Sequence, residues 1–275
     1  MARLLGKIAK ALAIVAIVLW SAFPVAYVLL NSFKLQRDIF EFPPPLLFKP
    51  TLTNYADLAR TYPQFFTFMG NSLVISVCAT LVSVGAAALA GYVYSRYRSR
   101  TLATSAFYLV AVRLLPPLVV TIPLFPWVNY FGLTDTRTIL VVLYAAFWVP
   151  MNTLVMKEFI DRIPRALDEA AVIDGAGEAS LFGRIILPLA AQGMVACAVF
   201  VFVFSWNEYL YAFIFAVENA KTTPLILSEI MDSVTGTNYG VLFAAATVQM
   251  LPILAIVLLL QRFLIAGLTA GAVKE

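Results

Sequence analysis

The sequence contains no histidine, which removes the commonest metal ligand and the usual general base near neutral pH. Its two cysteines, Cys78 and Cys197, both fall inside apolar runs, where they read as small packing residues. With so little to build a nucleophile–base pair or a metal site, an intramembrane enzyme has no visible machinery. No G-x-x-x-x-G-K-[ST] phosphate loop occurs either, so the chain should not hydrolyse ATP itself. Charge is scarce as well: 12% of 275 residues, against roughly a quarter in ordinary soluble domains. The net charge of +4 needs no nucleic acid to explain it, because basic cytoplasmic loops give the same balance.

What is present is apolar: 62% of residues are hydrophobic and the mean hydropathy is +0.90. Stretches of about 20 residues recur, each long enough to cross a hydrocarbon core of roughly 30 Å as a helix, and lipid leaves no other form open to them. Six such spans are expected, at about 11–30, 69–94, 102–125, 138–155, 191–216 and 240–265. The first exceeds the roughly 7–15 residues of a signal-peptide core and has no clear cleavage site after it, so it reads as retained. Residues 31–68, with Pro43-Pro44-Pro45, read as a loop, and a short loop with Gly132, Asp135 and Arg137 separates the third and fourth spans.

Six spans place both termini on one side. Twelve of the 19 lysines and arginines then lie on the side of the termini and six on the other, so the positive-inside rule makes both termini cytoplasmic. The expected fold is an all-α integral membrane protein, N-in and C-in, forming one transmembrane domain over 1–275. Its core covers about 69–265, a polar cytoplasmic loop occupies 156–190 between the fourth and fifth spans, and a cytoplasmic tail covers 266–275.

The polar loop carries its own structural signals. Pro164 suits a first helical turn, Arg165 to Asp174 are helix-compatible, and Gly175 is a natural left-handed cap. Asp168 and Glu169 sit near the positive end of this helix, while Ala170 and Ala171 leave a face of little bulk that another protein can approach. A second piece, about Glu178 to Ile186, places Leu181, Phe182, Ile185 and Ile186 on one face before Pro188 bends the chain. Two readings stand side by side: a solvated loop packed on neighbouring helix ends, and a protruding helix that docks on a partner.

Inside the spans, polar residues are expensive and so are candidates for function. Arg113 lies in the third span and Glu208 in the fifth, separated in depth by about 9 Å of helical rise; a long arginine can narrow that gap to an ion pair, either with Glu208 or with a partner subunit. Trp206, Asn207, Glu208 and Tyr209 together offer a flat face and hydrogen-bonding groups suited to a sugar, although aromatics near a helix end also serve as interface anchors. Pro116, Pro117 and Pro123 break backbone pairing and point to a third span that lines a cavity.

Glu169-Ala170-Ala171, three residues, Gly175, nine residues, then Ile185, one residue and Leu187-Pro188 resembles the EAA signature of ABC-type importer permeases. Asn71-Ser72, Leu115-Pro116-Pro117, Ser205-Trp206-Asn207-Glu208 and the run Gly267 to Lys274 are similar to the carbohydrate-uptake branch, and to its shorter, maltose-type permease subunit. Gln192 departs from a proline common in that branch. The resemblance implies that the helix around Glu169 is a coupling helix in a groove of a separate ATP-binding subunit. Glu169, Ala170, Ala171 and Asp174 would engage the groove, Gly175 would set the turn, and Ile185, Leu187 and Pro188 would fix the loop against the spans. It also implies that Gly267, Leu268, Thr269 and Gly271 reach the ATPase pair. The implied partners are a second permease subunit, a dimer of ATPases that bind Mg-ATP, an extracytoplasmic solute-binding protein, a sugar and membrane lipid, in the cytoplasmic membrane of a prokaryote. No cofactor or metal in this chain is implied. A secondary transporter would need an internal repeat and acidic relays; glycerol phosphate, amino acids or peptides are the rival cargoes.

Overall fold

The computed structural model describes residues 2–45, 47–232 and 236–269, and among them every regular element is helical. In chain order these are α1 (Ala2–Ser32), α2 (Gln36–Ile39), α3 (Thr53–Thr61), α4 (Phe65–Arg96), α5 (Arg100–Arg113), α6 (Pro117–Tyr130), α7 (Arg137–Asp161), α8 (Ala166–Ile173) and α9 (Glu178–Leu181). A π-helical turn over Phe182–Ile186 follows, then α10 (Leu187–Leu189), α11 (Ala191–Trp206), α12 (Leu210–Phe215), α13 (Thr223–Met231) and α14 (Tyr239–Thr269). Four stretches are long and apolar enough to cross a membrane: Gly6–Ser32, Phe65–Arg96, Arg137–Asp161 and Tyr239–Gln261. Two helix pairs, Arg100–Arg113 with Pro117–Tyr130 and Glu178–Leu189 with Ala191–Trp206, bring the number to six if each is one broken span.

The stretch expected as one span over 102–125 is therefore not a single helix, because α5 and α6 meet at 96°. Pro116 explains the break. It has no N–H to donate, sits at φ −59°, ψ 136°, and steers Leu115 before it away from helical geometry; Pro117 then opens α6 at the position where proline is tolerated. The stretch expected as the fifth span, 191–216, is interrupted as well. Here α11 stops at Trp206 and three residues separate it from α12, while a 73° bend between Leu189 and Ala191 lies just before this stretch, beside Pro188, where a bend was expected.

The chain divides into two compact units. In the first, Met1–Thr67 with Ile226–Leu251, the stretch read as a loop is ordered around Asn54. Its amide donates to Ser32 O at 2.8 Å and Lys34 O at 2.7 Å, which satisfies carbonyls at the C-terminal end of α1. A Cβ at Gly240 would lie 2.4 Å from Asn54 Oδ1, so the start of α14 can approach only without a side chain. Gln36 closes the arrangement, donating to Thr237 O and accepting from Gly240 N.

In the second unit, Phe68–Leu225 with Pro252–Glu275, α4 contributes to two buried clusters. Toward its start Ile75 and Ala79 pack with Leu140, Tyr144 and Phe215; toward its end Val84, Ala87, Ala88 and Tyr92 pack with Met156, Ile160, Ala171 and Ile186. Lipid tails are as apolar as leucine, so close packing and buried polar contacts hold such helices together. Gly91 lets α4 approach α7 this closely, and Asn152 of α7 donates across to Ser83 of α4 at 3.0 Å.

Asp135, at φ +60°, a conformation that aspartate tolerates better than most residues, ties two loops of this unit together. Its carboxylate accepts the backbone N–H groups of Val217, Glu218, Asn219 and Ala220 at 2.9–3.1 Å and the Asn219 amide at 2.8 Å. Partial burial alone would raise its pKa, but the donors from Asn219, Glu218 and Ala220 outweigh that and hold it well below the usual carboxylate range. Because the folded value is depressed, the stabilisation is complete above the unfolded value near 4 and is lost as pH falls through the folded one. Asp135→Ala is expected to destabilise by about 2 kcal/mol, at the low end for several charge-assisted hydrogen bonds because the site is partly open to water. Thermal unfolding of the detergent-purified protein at pH 7 reads the loss, and the gap to wild type should narrow only in strong acid.

Candidate functional site

The first candidate is the polar segment after α7. Pro164 leads into α8, whose first turn carries Asp168 and Glu169 near the partial positive charge of the helix start. Two backbone bonds end the helix: Gly175 N to Val172 O at 3.0 Å and Ala176 N to Ala171 O at 2.9 Å. This is the paired C-terminal closure that needs a left-handed residue, and Gly175 supplies it at φ +81°. Its position follows directly from sequence.

Around this frame the expected residues separate into two sets. Glu169, Ala170, Asp174 and Gly175 are exposed, whereas Ala171 is 5% exposed and faces the cluster beneath. Ala171 therefore anchors the helix instead of widening its free face. That face is larger and more apolar than the sequence suggested, because Val172 and Ile173 are 63% and 84% exposed. Ile186 is buried, Ile185 and Leu187 are half-buried against the same cluster, and Pro188 is exposed. The helix expected to run from Glu178 to Ile186 is one turn of α9 followed by the π-helical turn. Of the tail, Gly267, Leu268 and Thr269 continue α14, and Gly271 lies outside the described residues.

Asp168, absent from the expected set, is the most connected residue of α8. Arg96, at the end of α4, holds it through Nε to Oδ2 at 2.5 Å and Nη2 to Oδ1 at 3.3 Å. The same guanidinium donates to Ile160 O and Ile163 O, and Arg165 donates to Ser95 O at 2.9 Å.

The second candidate lies among α6, α7, α11 and α12. A cavity of 360 Å³ is lined by Pro117, Tyr144, Phe147, Trp148, Phe204, Ser205, Asn207, Glu208, Tyr209, Leu210 and Tyr211. Of the residues read as pathway candidates, Asn207, Glu208 and Tyr209 line this cavity. Trp206 does not; it is fully buried and stacked on Phe202 at 5.8 Å between ring centres. Arg113 stands over Phe147 and Trp148, 4.1 and 4.6 Å from their ring centres, and donates to Phe147 O at 3.0 Å.

The suggested Arg113–Glu208 ion pair is not among the described contacts. A break inside an apolar segment leaves the first N–H groups of α12 without partners, and the Glu208 carboxylate accepts those of Tyr211 at 2.9 Å and Ala212 at 3.2 Å. Asn207 likewise donates its amide to Val203 O at 2.7 Å. Both side chains thereby hold the break that shapes the cavity. Sequence reading missed Tyr144, Phe147 and Trp148; their spacing of three and four residues on one apolar helix marks a shared face, though it is equally that of ordinary packing.

The chain is 31% identical to the inner membrane ABC transporter permease protein YcjP of Escherichia coli (strain K12), over 99% of this chain and 98% of that one. It is 29% identical to the trehalose/maltose transport system permease protein MalG of Thermococcus litoralis, over 92% and 91% of the two chains. A crystal structure of a bacterial ABC transporter involved in the import of the acidic polysaccharide alginate matches with a TM-score of 0.75, covering 94% of this chain and 96% of that one at 20% identity, a likeness of fold. Residues 83–269, which contain α8 and every residue lining the cavity, match the model of binding-protein-dependent transport system inner membrane components; the chain belongs to that family.

Proposed function

We propose that this chain is the permease subunit of an ATP-driven importer for a di- or oligosaccharide, working by alternating access in a prokaryotic cytoplasmic membrane. Each bent pair counts as one span in this reading, giving six with both termini cytoplasmic. α8 is the coupling helix, presenting Glu169, Ala170, Val172, Ile173 and Asp174 to a groove of a separate ATPase. Gly267, Leu268, Thr269 and Gly271 of the tail meet the ATPase pair, which binds Mg-ATP. A second permease subunit and an extracytoplasmic solute-binding protein complete the complex. The observation that carries the reading is α8 itself: an exposed, mixed apolar and acidic face on a helix whose opposite side is locked into the packing of α4 and α7.

The sugar assignment rests on the trehalose/maltose relative and on the cavity. Its volume of 360 Å³ falls within the roughly 300–1,000 Å³ of small-molecule sites, and Trp148 and Tyr209 stand in its wall. Reconstitution with the co-purifying ATPase and binding protein tests both parts: ATP-dependent uptake of trehalose or maltose is expected. Uptake driven by an ion gradient without ATP would overturn the reading, and selective uptake of glycerol phosphate would overturn the sugar. Trp148→Ala is expected to raise the KM for cargo about tenfold, the equivalent of one good contact, with cargo moved per ATP unchanged.

A further inference from the structure

We propose that the Arg96–Asp168 pair is the strut through which α8 moves α4 and α7, so that these two residues set how tightly ATP hydrolysis is coupled to transport. The proposal rests on the coupling reading of α8 and adds the internal route by which its motion reaches the membrane. The pair is nearly dry, with side chains 7% and 17% exposed. It lies on the inner side of α8, one residue before exposed Glu169. Arginine is suited to such a joint, since its planar fork meets a carboxylate with two N–H groups and leaves others for carbonyls. Here one guanidinium joins three places at once: Asp168 on α8, Ile160 O in the last turn of α7, and Ile163 O in the link between them.

A second set of contacts runs parallel to it. Arg165, just before α8, caps Ser95 O at the end of α4, and Ser95 Oγ donates to Asp161 of α7 at 2.5 Å. Asp161 also accepts from Lys157 one turn earlier. The end of α4, the end of α7 and the start of α8 are thus joined by buried or half-buried polar bonds. By contrast, the route from α8 along the chain to α11 passes a π-helical turn and a 73° bend. A push on α8 is transmitted where side-chain bonds tie it directly to its neighbours, which is toward α4 and α7.

The test is a charge swap in the reconstituted complex, with cargo transported per ATP as the readout, since a merely structural role would change the amount of complex but not this ratio. Arg96→Lys and Asp168→Asn are each expected to lower the ratio about tenfold, within the usual range of coupling between sites. Arg96→Asp combined with Asp168→Arg should recover a substantial part of it. Single variants with the wild-type ratio would overturn the proposal, as would a swap no better than either single. Where a single variant fails to assemble, recovery of assembled, transporting complex in the swap supports the pair and its absence refutes it. Glu169→Lys, run alongside, separates the two levels. If it leaves both the ratio and cargo-stimulated hydrolysis at wild-type values, the coupling reading fails; if it lowers either while the Arg96 and Asp168 variants keep the wild-type ratio, the strut alone fails.

Discussion

Glu169→Lys is expected to bring cargo-stimulated ATP hydrolysis in the reconstituted complex down by about a hundredfold while the chain remains folded and inserted. Glu169 is exposed in the first turn of α8, so its removal disturbs no packing within the chain. If α8 is the coupling helix proposed above, reversing a charge on its docking face leaves a like or unpaired charge at the contact, and such changes weaken association by roughly 2–5 kcal/mol. Gly175→Pro acts on the same function through the backbone. At φ +81° proline, held near −65°, has no access, and it also removes the N–H that bonds Val172 O. The turn must then open and the face change direction. Stimulated hydrolysis at the wild-type rate in either variant would remove α8 from the coupling role.

The second large effect concerns assembly of the helices. A Cβ on Gly91 would lie 2.8 Å from Met156 Cβ and 3.0 Å from Lys157 N, so it meets backbone and a Cβ, neither of which can rotate away. Gly91→Ala is expected to destabilise by about 2 kcal/mol, as for overpacking of a tight core, and Gly91→Val to eliminate most of the folded protein. Gly85→Ala on the same helix is the control, because its Cβ would meet nothing within 4 Å. Yield of monodisperse protein and its thermal midpoint in detergent distinguish the two sites. Equal behaviour at positions 85 and 91 would mean that α4 and α7 can separate without penalty.

What could be read from sequence was local. Gly175 was legible because helix termination depends on a few neighbouring residues, and the membrane class because lipid imposes length and composition. The break between α5 and α6 had its signal in Pro116 and Pro117, yet uninterrupted apolar composition on both sides concealed that it turns through 96°. The break at Asn207 had no such signal. Nothing local shows that Glu208 is used to cap α12 and that Asn207 turns back to Val203. Arg113 was found by the cost of its charge, but its aromatic partners lie more than thirty residues away on α7. Asp135 and Asp168 were read as loop and helix-end carboxylates, because their partners at 217–220 and Arg96 meet them only in three dimensions.

The cavity among α6, α7, α11 and α12 has a consequence in terms of water. A space of 360 Å³, at about 30 Å³ per molecule in the liquid, has room for on the order of ten waters, and Asn207, Tyr209 and Ser205 give its wall a polar side. In the alternating-access reading, a conformation that closes this space releases whatever water it holds, and a cargo that fills it displaces that water. Under alternating access, the balance between open and closed forms would then be set by the activity of water as well as by ATP and cargo, and solutes too large to enter would favour the closed form without binding to the protein at all.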